Sequence, residues 1–457
     1  MFFSFIKYTQ PAWQFNVKPK SFAHASCLYH PEYLPLDDLE IEEDKSYETA
    51  SARYADIGYR AWNKGHLTWT NKEVENKIAS LPPPSLHDEY SFIFKYWGRH
   101  WAFFTLLQRL ASFHNAFAEC NACFKASSIK KTEPYSQPIE RVEYEDFKSP
   151  LIDSEPLVAV IIPTLNRYLY LKDVMEDLEK QAYKNFEVIV VDQSDPFEED
   201  FYKQFNLKIN VIYQKEKLLW TARNRAVKST KAEYLLFFDD DSRVEGDWII
   251  QHLKCLDYFR AQISAGVSLA AVGNKIPDNY KSFRWADQFD SGNAMVTRSV
   301  FYKIGMFDLN FNKQSMGDGE FGIRAYVNGI KSISNPLAKR IHLKVSAGGL
   351  REIGHWDGFR PKKWFSPKPI PSVIYLYKKY FPKQCSRQAI LLGIMLSNVG
   401  FKNKKKNNML VWSIFLTIVK FPLLLIQYLK SLKIAKNMLK NDNKIRALNE
   451  EAFVAVV

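Results

Sequence analysis

The chain has 457 residues, a net charge of +13 and five cysteines. This length predicts two or three domains, and the sequence shows no internal repeat or low-complexity tract. The odd number and wide scatter of the cysteines argue against a disulfide-stabilised secreted domain. Residues 1–6 are too short for the core of a signal peptide. We therefore expect reduced thiols and a cytoplasmic location.

Residues 1–125 are predicted to form an N-terminal accessory domain. Large apolar residues recur at helical spacing between Phe94 and Phe117, which predicts one or two packed helices rather than a cofactor site. The segment 126–156 is polar and contains proline, so it is predicted to be a linker.

Residues 157–350 carry the pattern of an α/β domain with a mostly parallel sheet. Four apolar runs have the length and composition of buried strands, at 158–162, 188–191, 209–213 and 234–238. Helix-like segments separate the first from the second and the third from the fourth, an order that favours right-handed crossovers. Because parallel strands share their carboxyl edge, we expect Thr164, Asp192 and the residues after 238 to line one polar crevice.

The run over 234–238 stops at three consecutive aspartates, Asp239, Asp240 and Asp241. Burial cannot continue into them, because an unpaired buried charge is too costly. Crowded carboxylates repel unless a cation lies between them, and their hard oxygens suit Mg²⁺ or Mn²⁺. Taken alone, the triplet fits a solvated acidic turn equally well.

Six segments of this region resemble, in order and spacing, the inverting GT-A glycosyltransferases of family 2. They are VAVIIPTLNR (158–167), VIVVDQSD (188–195), TARNRAV (221–227), YLLFFDDD (234–241), SGNAMVTRSVFYKIGMFD (291–308) and GDGEFGIRAYVNG (317–329). The resemblance implies a Rossmann-like GT-A fold and a hexosyltransferase-like enzyme of polysaccharide biosynthesis. Such an enzyme moves a sugar, with inversion, from a nucleotide-diphosphate sugar to an acceptor hydroxyl of a growing saccharide or lipid-linked glycan.

The resemblance also assigns donor-side residues. Asp239 and Asp241 correspond to the D-x-D motif, with Asp241 as a direct ligand of Mn²⁺ or Mg²⁺ and Asp239 closer to the ribose. Asp192 corresponds to the residue that binds the nucleobase. His342 is implied as a further metal ligand, although a lone histidine is as often structural. The other donor-side residues implied are Pro163, Thr164, Asn166, Arg223 and Asp240.

Inversion needs a carboxylate that takes the proton of the attacking hydroxyl. Asp318 corresponds to this base and Glu320 is the alternative, while Gly317 stands where the family has Glu. Asn293 and Asp308 are implied on the acceptor side, together with Glu320. The adjacent glycines within 346–349 predict a loop that closes over bound donor.

Two other functions remain open. One is a catalytically silent nucleotide-sugar-binding protein on the same scaffold, which Gly317 supports and the aspartate triplet argues against. The other is a nucleotidyltransferase, which should carry a glycine-rich, basic phosphate loop after the first strand. The sequence PTLNRY at 163–168 has no glycine and a single arginine.

Residues 360–457 are predicted to form a helical, membrane-associating region. From Arg360 to Arg446 there are 19 basic residues and one acidic residue, giving +18, so the rest of the chain carries −5. The region is also strongly apolar at 389–396 and 409–429, which favours an anionic membrane surface, on the inner face of the cell membrane, over nucleic acid.

The second apolar run contains a narrow polar stripe at helical spacing, and this pattern predicts a helix lying in the lipid interface. A single membrane span and a plain soluble helical subdomain are the alternatives. The residues of the stripe are Ser413, Thr417, Lys420, Gln427 and Ser431.

Overall fold

A computed structural model describes residues 3–9, 11–19, 41–67, 72–135, 137–269, 275–345, 349–350, 358–360, 363–399, 409–441, 445 and 448. The chain divides into two compact units. The helical unit comprises Met1–Pro138 and His355–Lys440, and the sheet unit comprises Ile139–Gly354 and Asn441–Val457.

The helices are numbered in chain order. The amino-terminal part of the helical unit contains α1 (Trp13–Asn16), α2 (Ala50–Lys64), α3 (Lys72–Ser80), α4 (Leu86–Tyr96), α5 (Arg99–Leu110) and α6 (Ala116–Ala126). The sheet unit contains α7 (Val142–Asp146), α8 (Pro150–Asp153), α9 (Tyr168–Glu179), α10 (Leu219–Ser229), α11 (Trp248–Tyr258), α12 (Arg298–Ile304) and α13 (Gly317–Val327). The carboxyl-terminal part of the helical unit contains α14 (Pro371–Tyr380), α15 (Lys383–Leu396), α16 (Met409–Val419) and α17 (Phe421–Lys440).

The sheet has nine strands in the described residues. They are β1 (Val158–Thr164), β2 (Phe186–Asp192), β3 (Ile209–Tyr213), β4 (Tyr234–Phe238), β5 (Ser242–Val244), β6 (Ile263–Leu269), β7 (Arg284–Trp285), β8 (Asn293–Thr297) and β9 (Ser332–His342). Their order is β3-β2-β1-β4-β8-β6-β9-β5, and β7 pairs with β9. The predicted α/β fold with a mostly parallel sheet at its core is confirmed.

The parallel half of the sheet comes from the four predicted apolar runs. Strands β3, β2, β1 and β4 are parallel neighbours, whereas β8 runs antiparallel to both β4 and β6. Every residue of β1 and β4 is buried, as continuous apolar runs covered on both faces require. In the β1–β2 register Thr164 lies opposite Asp192, so these two strand ends meet at one edge as predicted.

The region predicted as a linker, 126–156, differs from that prediction in its second half. Helices α7 and α8 belong to the sheet unit, which begins at Ile139. The Asp257 carboxylate accepts a hydrogen bond from the Leu151 backbone N–H at 3.1 Å. The Tyr144 ring packs on Tyr258, with ring centroids 5.1 Å apart. These contacts tie residues 139–153 to helix α11.

The helical unit corrects two details of the sequence interpretation. The apolar stripe between Phe94 and Phe117 is buried at Phe94 and Phe104, but Leu107, Phe113 and Phe117 are exposed. The stripe is divided among α4, α5 and α6, and only part of each helix faces the core. The run 409–429 is not one helix, because α16 and α17 meet at an 82° bend. Pro422 lies in the first turn of α17, and its ring and missing N–H would disrupt a helix continued from α16 at that point.

Among the described residues, no single helix is long and apolar enough to cross a membrane. The bent pair Val411–Val419 and Phe421–Lys440 meets the length and composition test only when its two helices are taken together. The lysine cluster at 402–406 lies outside the described residues.

Candidate active site

The acidic run begins where β4 ends. Asp239 follows Phe238 directly, and its side chain is partly exposed, whereas Asp240 and Asp241 are buried. Strand β5 starts one residue after Asp241 and pairs with β9, placing Ser242 opposite His342. The Leu343 N–H donates to the Asp241 carbonyl at 2.9 Å. This pairing places His342, which lies about 100 residues downstream in the sequence, next to the acidic run.

Asp239, Asp241 and His342 form a cluster of ligand type. Each offers one ligand atom, and these atoms lie within 4.8 Å of one another. His342 Nε2 is 3.2 Å from Asp241 Oδ1. Burial, the largest effect, opposes ionisation of Asp241, but the hydrogen bond and charge of His342 together with the charge of Arg167 leave the pKa of this carboxyl below its usual value. Two carboxylates and an imidazole nitrogen are a donor set that suits Mn²⁺ or Mg²⁺.

Two arginines hold Asp239, one on each oxygen. Arg223 Nη2 lies 3.0 Å from Oδ1, and Arg340 Nη1 lies 2.7 Å from Oδ2. Arg340 is almost fully buried and also binds Asp290, with Nη2 2.9 Å from Oδ2. A Cβ on Gly292 would lie 2.2 Å from both Arg340 Nη1 and Asp239 Oδ2. The Arg340–Asp239 pair therefore depends on a glycine at 292.

A third arginine, Arg167, binds the other two aspartates. Its Nη1 is 2.9 Å from Asp240 Oδ1 and 3.1 Å from Asp241 Oδ2. Asp240 also accepts a hydrogen bond from Thr164 Oγ1 at 2.8 Å. Burial raises the pKa of Asp240 to about 6, against the opposing effects of Arg167 and Thr164. Asp240 therefore forms an internal ion pair with Arg167, and Thr164 donates a hydrogen bond to the same carboxylate.

Asp318 lies in the first turn of α13 and is half-buried. Its Oδ1 accepts hydrogen bonds from the Ser291 backbone N–H, at 2.9 Å, and from the Ser291 hydroxyl. The Ser291 carbonyl accepts in turn from Arg223 Nη2 at 2.9 Å. Because the same Nη2 contacts Asp239, a chain of Asp239, Arg223, Ser291 and Asp318 joins the ligand cluster to the predicted base.

The structure gives Glu320 a different role from the one predicted. Its carboxylate pairs with Arg324 through two contacts of 2.9 and 3.0 Å and is almost fully buried. Arg324 Nη1 also donates to the Ile304 carbonyl at 2.6 Å. Glu320 is therefore committed to an ion pair that joins α13 to the end of α12. This position corrects the acceptor-side assignment of Glu320 and disfavours it as the alternative base.

Asn293 and Asp308 also differ from the acceptor-side prediction. Asn293 is fully buried, and its amide nitrogen donates to the Val267 and Ala338 carbonyls at 3.0 and 2.9 Å. Its Oδ1 accepts from Trp248 Nε1 at 2.8 Å. Asp308 is buried and caps a short 3₁₀ helix, Leu309–Phe311, by accepting from the Asn310 N–H at 2.9 Å. Both side chains hold the scaffold.

The predicted nucleobase residue, Asp192, is fully buried at the end of β2. Its Oδ2 accepts from the Tyr168 and Tyr202 hydroxyls at 2.7 and 2.6 Å. Its Oδ1 accepts from the Ser194 N–H at 2.8 Å. Contact between Asp192 and a base would require at least one tyrosine to move.

Pro163 and Asn166 flank the same edge. Pro163 lies within β1 opposite Val191. Asn166 adopts a left-handed backbone conformation, with φ of 52°, and its Oδ1 accepts from the Asp195 N–H at 2.9 Å. Asn166 therefore ties the loop after β1 to the loop after β2. Of the predicted closing loop, residues 346–348 lie outside the described residues.

Gly317, the departure from the family pattern, has a steric explanation. A Cβ at this position would lie 2.2 Å from the Trp220 ring. That ring packs against Phe307, with centroids 5.2 Å apart, and the Arg223 guanidinium lies 5.1 Å from the Trp220 ring centroid. Trp220 thus occupies the space that a side chain at 317 would need, and it supports Arg223.

Sequence reasoning missed four residues of this site: Arg167, Arg340, Asp290 and the positioning role of Ser291. Arg167 ends the first quoted segment, and Ser291 begins the fifth, so both were within reach of motif comparison. A run of three carboxylates also signals a need for cations. The contact of Arg340 with Asp239 depends on the placement of β9 beside β5, and no local pattern reveals that placement.

Comparison with known proteins agrees with this geometry. Residues 159–326 match the family model described as glycosyl transferase family 2. This region is therefore a family 2 glycosyltransferase domain within the chain. The matched region contains β1 to β4, the aspartate triplet, Ser291 and nearly all of α13.

Relatives differ in how much of their length is matched. The chain is 26% identical over 262 residues to a PGL/p-HBAD biosynthesis glycosyltransferase of Mycobacterium bovis, covering 52% of this chain and 96% of that protein. It is 29% identical over 104 residues to the putative glycosyltransferase EpsH of Bacillus subtilis, covering 22% of this chain and 30% of that protein. It is 30% identical over 173 residues to glycosyltransferase GlyA of Streptococcus pneumoniae, covering 36% and 23%.

Two solved structures are similar at low sequence identity. One is the mannosyltransferase PcManGT from Pyrobaculum calidifontis in complex with GDP-Man and Mn²⁺, with 12% identity, a TM-score of 0.39, and coverage of 66% of this chain and 93% of that chain. The other is S. aureus TarS 1–349 in complex with UDP-GlcNAc, with 17% identity, a TM-score of 0.40, and coverage of 63% and 93%.

The packing of Trp220 predicts opposite outcomes at two nearby glycines. Gly317→Ala should destabilise the protein by about 1–3 kcal/mol, as overpacking does, and lower activity, because the added methyl displaces Trp220 and with it Arg223. Gly319→Ala should be neutral or stabilising by about 0.5–1 kcal/mol, since alanine is the better helix former. The nearest atom to a Cβ at 319 is Met316 Cε, at 3.9 Å.

Urea denaturation of both variants, alongside a donor-turnover assay, checks this prediction. Equal stability and activity of the two variants would contradict the role given to Trp220.

Proposed function

We propose that this glycosyltransferase is metal-dependent and inverting, and that it transfers a sugar from a nucleotide-diphosphate sugar to an acceptor hydroxyl of a growing saccharide or lipid-linked glycan. The observation that carries the proposal is the chain Asp239–Arg223–Ser291–Asp318. It joins a cluster of ligand type to a half-exposed carboxylate, with Arg223 Nη2 3.0 Å from Asp239 and 2.9 Å from the Ser291 carbonyl.

On the donor side, Asp239, Asp241 and His342 would hold the metal ion. When bound, Mn²⁺ or Mg²⁺ supplies Lewis-acid stabilisation of the negative charge that develops on the leaving diphosphate. Arg340 and Arg223 fix the orientation of Asp239, because each binds a different oxygen. His342 Nε2 lies 3.2 Å from Asp241 Oδ1, so the imidazole is close enough to share a metal ion with that carboxylate.

On the acceptor side, Asp318 is the proposed base. The acceptor oxygen forms a bond to the anomeric carbon as the bond from that carbon to the diphosphate oxygen breaks. The hydroxyl proton passes to the Asp318 carboxylate, and the electron pair of the broken bond leaves with the diphosphate. Ser291 donates two hydrogen bonds to Oδ1, which fixes the carboxylate and directs Oδ2 to the acceptor.

The two sides are held at a fixed separation. Arg223 is almost fully buried on α10, and Ser291 is buried just before β8. A catalytic group held by buried partners loses little freedom when substrate binds, which is how positioning lowers a barrier. The same arrangement supports a single displacement, because the metal ligands and the base lie on opposite ends of one hydrogen-bonded chain.

The metal assignment predicts the effect of Asp241→Asn. The variant should lose turnover and should weaken Mn²⁺ binding by more than the roughly 10–100-fold that follows loss of a partner outside the ligand shell. Titration of Mn²⁺, followed by its paramagnetic resonance signal in the presence of nucleoside diphosphate, measures the affinity directly. The matched control is Asp200→Asn, at a highly exposed aspartate of the same unit. Wild-type Mn²⁺ affinity in Asp241→Asn would show that Asp241 is no ligand.

The base assignment predicts different behaviour at two neighbouring carboxylates. Asp318→Asn should lower kcat by roughly 10²–10⁴-fold while leaving donor affinity nearly unchanged, the usual range for loss of general acid–base catalysis. Glu320→Gln should act mainly on stability, at a cost of about 3–5 kcal/mol, because it leaves the Arg324 charge buried without its partner.

Steady-state kinetics, donor binding and thermal unfolding of the two variants separate these effects. If Glu320→Gln lowered kcat as much as Asp318→Asn while melting like the native protein, the base would lie at 320.

A further inference from the structure

Helices α16 and α17 of the helical unit bury most of their polar stripe and expose many of their apolar side chains. Their polar stripe faces inward, since Ser413, Gln427 and Ser431 are buried. Gln427 Nε2 donates to the Trp364 carbonyl at 2.5 Å, and Asn398 Nδ2 donates to Thr417 Oγ1 at 2.9 Å. Thr417 and Gln427 therefore make internal contacts of the unit, Lys420 between the two helices is exposed, and the apolar face of both helices is left outward.

The outward face is large and apolar. On α16, Ile418 is 69% exposed and Trp412 54% exposed, and on α17 Phe421 is 58% exposed. Contiguous exposed apolar surface of this kind marks an interaction site. The exposed large apolar residues of the two helices are Val411, Trp412, Phe415, Ile418, Val419, Phe421, Leu425, Ile426, Leu429 and Ile434.

Helices α5 and α6 of the same unit also expose apolar side chains. Phe104 of α5 shares a core cluster with Leu392 and Met395 of α15, and Met409 and Ile414 of α16 pack against it. The same two amino-terminal helices expose Phe103, Leu107, Phe117 and Phe124, and Phe113 of the turn between them is 97% exposed. Phe103, Phe117 and Phe124 also line a groove of about 680 Å³ between α5 and α6.

The charge around this face is of one sign. No Asp or Glu occurs in the sequence between Gly358 and Asn441. Lysines are exposed along the two helices, at Lys420, Lys430, Lys433, Lys436 and Lys440. An apolar face among lysines matches the layered chemistry of an anionic bilayer, where acyl chains lie beneath negative headgroups.

We propose that this outward face of α16 and α17 docks on the surface of an anionic lipid bilayer. The apolar side chains enter the boundary between headgroups and acyl chains, and the lysines contact the headgroups. The bend of 82° between α16 and α17 suits helices that lie along a surface. A second copy of the chain is a poorer occupant, because an isologous contact would bring the two lysine sets together.

Flotation of the full-length protein with vesicles tests the proposal. The native protein should float with vesicles containing 30% phosphatidylglycerol in phosphatidylcholine, and at least roughly tenfold less with pure phosphatidylcholine, since several lysines lie near the headgroups. Raising NaCl to about 1 M, where the Debye length is about 3 Å, should reduce the floated fraction without abolishing it, because the apolar contribution is not screened.

Matched double variants identify the face. Phe415→Ser with Ile418→Ser should lower the floated fraction roughly tenfold or more, since two large side chains no longer enter the lipid. Val142→Ser with Leu169→Ser, at two residues of the sheet unit that are 67% and 75% exposed, should float like the native protein. Circular dichroism and donor turnover in vesicle-free buffer report whether each variant is folded.

A second measurement uses the native fold. Vesicles with brominated acyl chains should quench part of the tryptophan fluorescence, and Trp412→Phe should remove part of that quenching. Equal flotation of the two double variants, or quenching unchanged by Trp412→Phe, would overturn the proposal. Failure of the native protein to float with anionic vesicles would also overturn it. The same holds if the native protein instead forms a dimer and the Phe415→Ser, Ile418→Ser variant does not.

Discussion

The site is organised by the need to balance charge where β4 ends. Three consecutive carboxylates leave the buried strand together, and Asp240 and Asp241 remain buried. Two unit charges 4 Å apart interact by about 4 kcal/mol at an effective dielectric of 20, so the run cannot stand without cations. Arg167 neutralises Asp240 and Asp241, while Arg223 and Arg340 share Asp239. These three arginines come from the loop after β1, from α10 and from β9, so the charge balance joins both halves of the sheet.

The same charge balance also fixes the position of Asp318 relative to Asp239. Arg223 neutralises Asp239 and at the same time binds the carbonyl of Ser291, whose N–H and hydroxyl hold Asp318. The Trp220 ring packs against the Arg223 guanidinium and occupies the space that a side chain at position 317 would need. The missing family glutamate is thus a packing consequence of Trp220. Asp318, the proposed base, and the serine that holds it are both present, which argues against the silent-binder alternative.

Patterns in the sequence were sufficient for the parallel half of the fold. Strands β1, β2 and β4 are built on continuous apolar runs, and buried parallel strands have that composition; β3 is a partly exposed edge strand. The residues of the site that follow a strand end, Asp192 and the aspartate triplet, were found for the same reason. The roles of Asp318 and His342 were predicted from family resemblance, and the β5–β9 pairing supplies the physical contact that brings His342 to Asp241.

The remaining features depend on tertiary contacts that no local pattern encodes. Asn293 and Glu320 look like site residues in the sequence, yet one is an interior hydrogen-bonding hub and the other an ion-pair partner of Arg324. The polar stripe of 413–431 was predicted on a single helix, whereas the structure divides it between α16 and α17, with Ser413, Gln427 and Ser431 buried and Lys420 exposed. Its direction could not be read from periodicity, because a stripe has the same spacing whether it faces water or the interior of the unit.

The central claim is that the aspartate cluster and Asp318 act together in sugar transfer. The most direct test incubates the purified protein with a panel of nucleotide-diphosphate sugars and Mn²⁺ and measures release of nucleoside diphosphate. We expect nucleoside diphosphate to be released from at least one donor of the panel. Chelation of the metal should abolish this release, and nucleoside triphosphates should not react. Binding of a donor without any release would contradict it in favour of a silent binder, and consumption of a nucleoside triphosphate with release of pyrophosphate would contradict it in favour of nucleotidyl transfer.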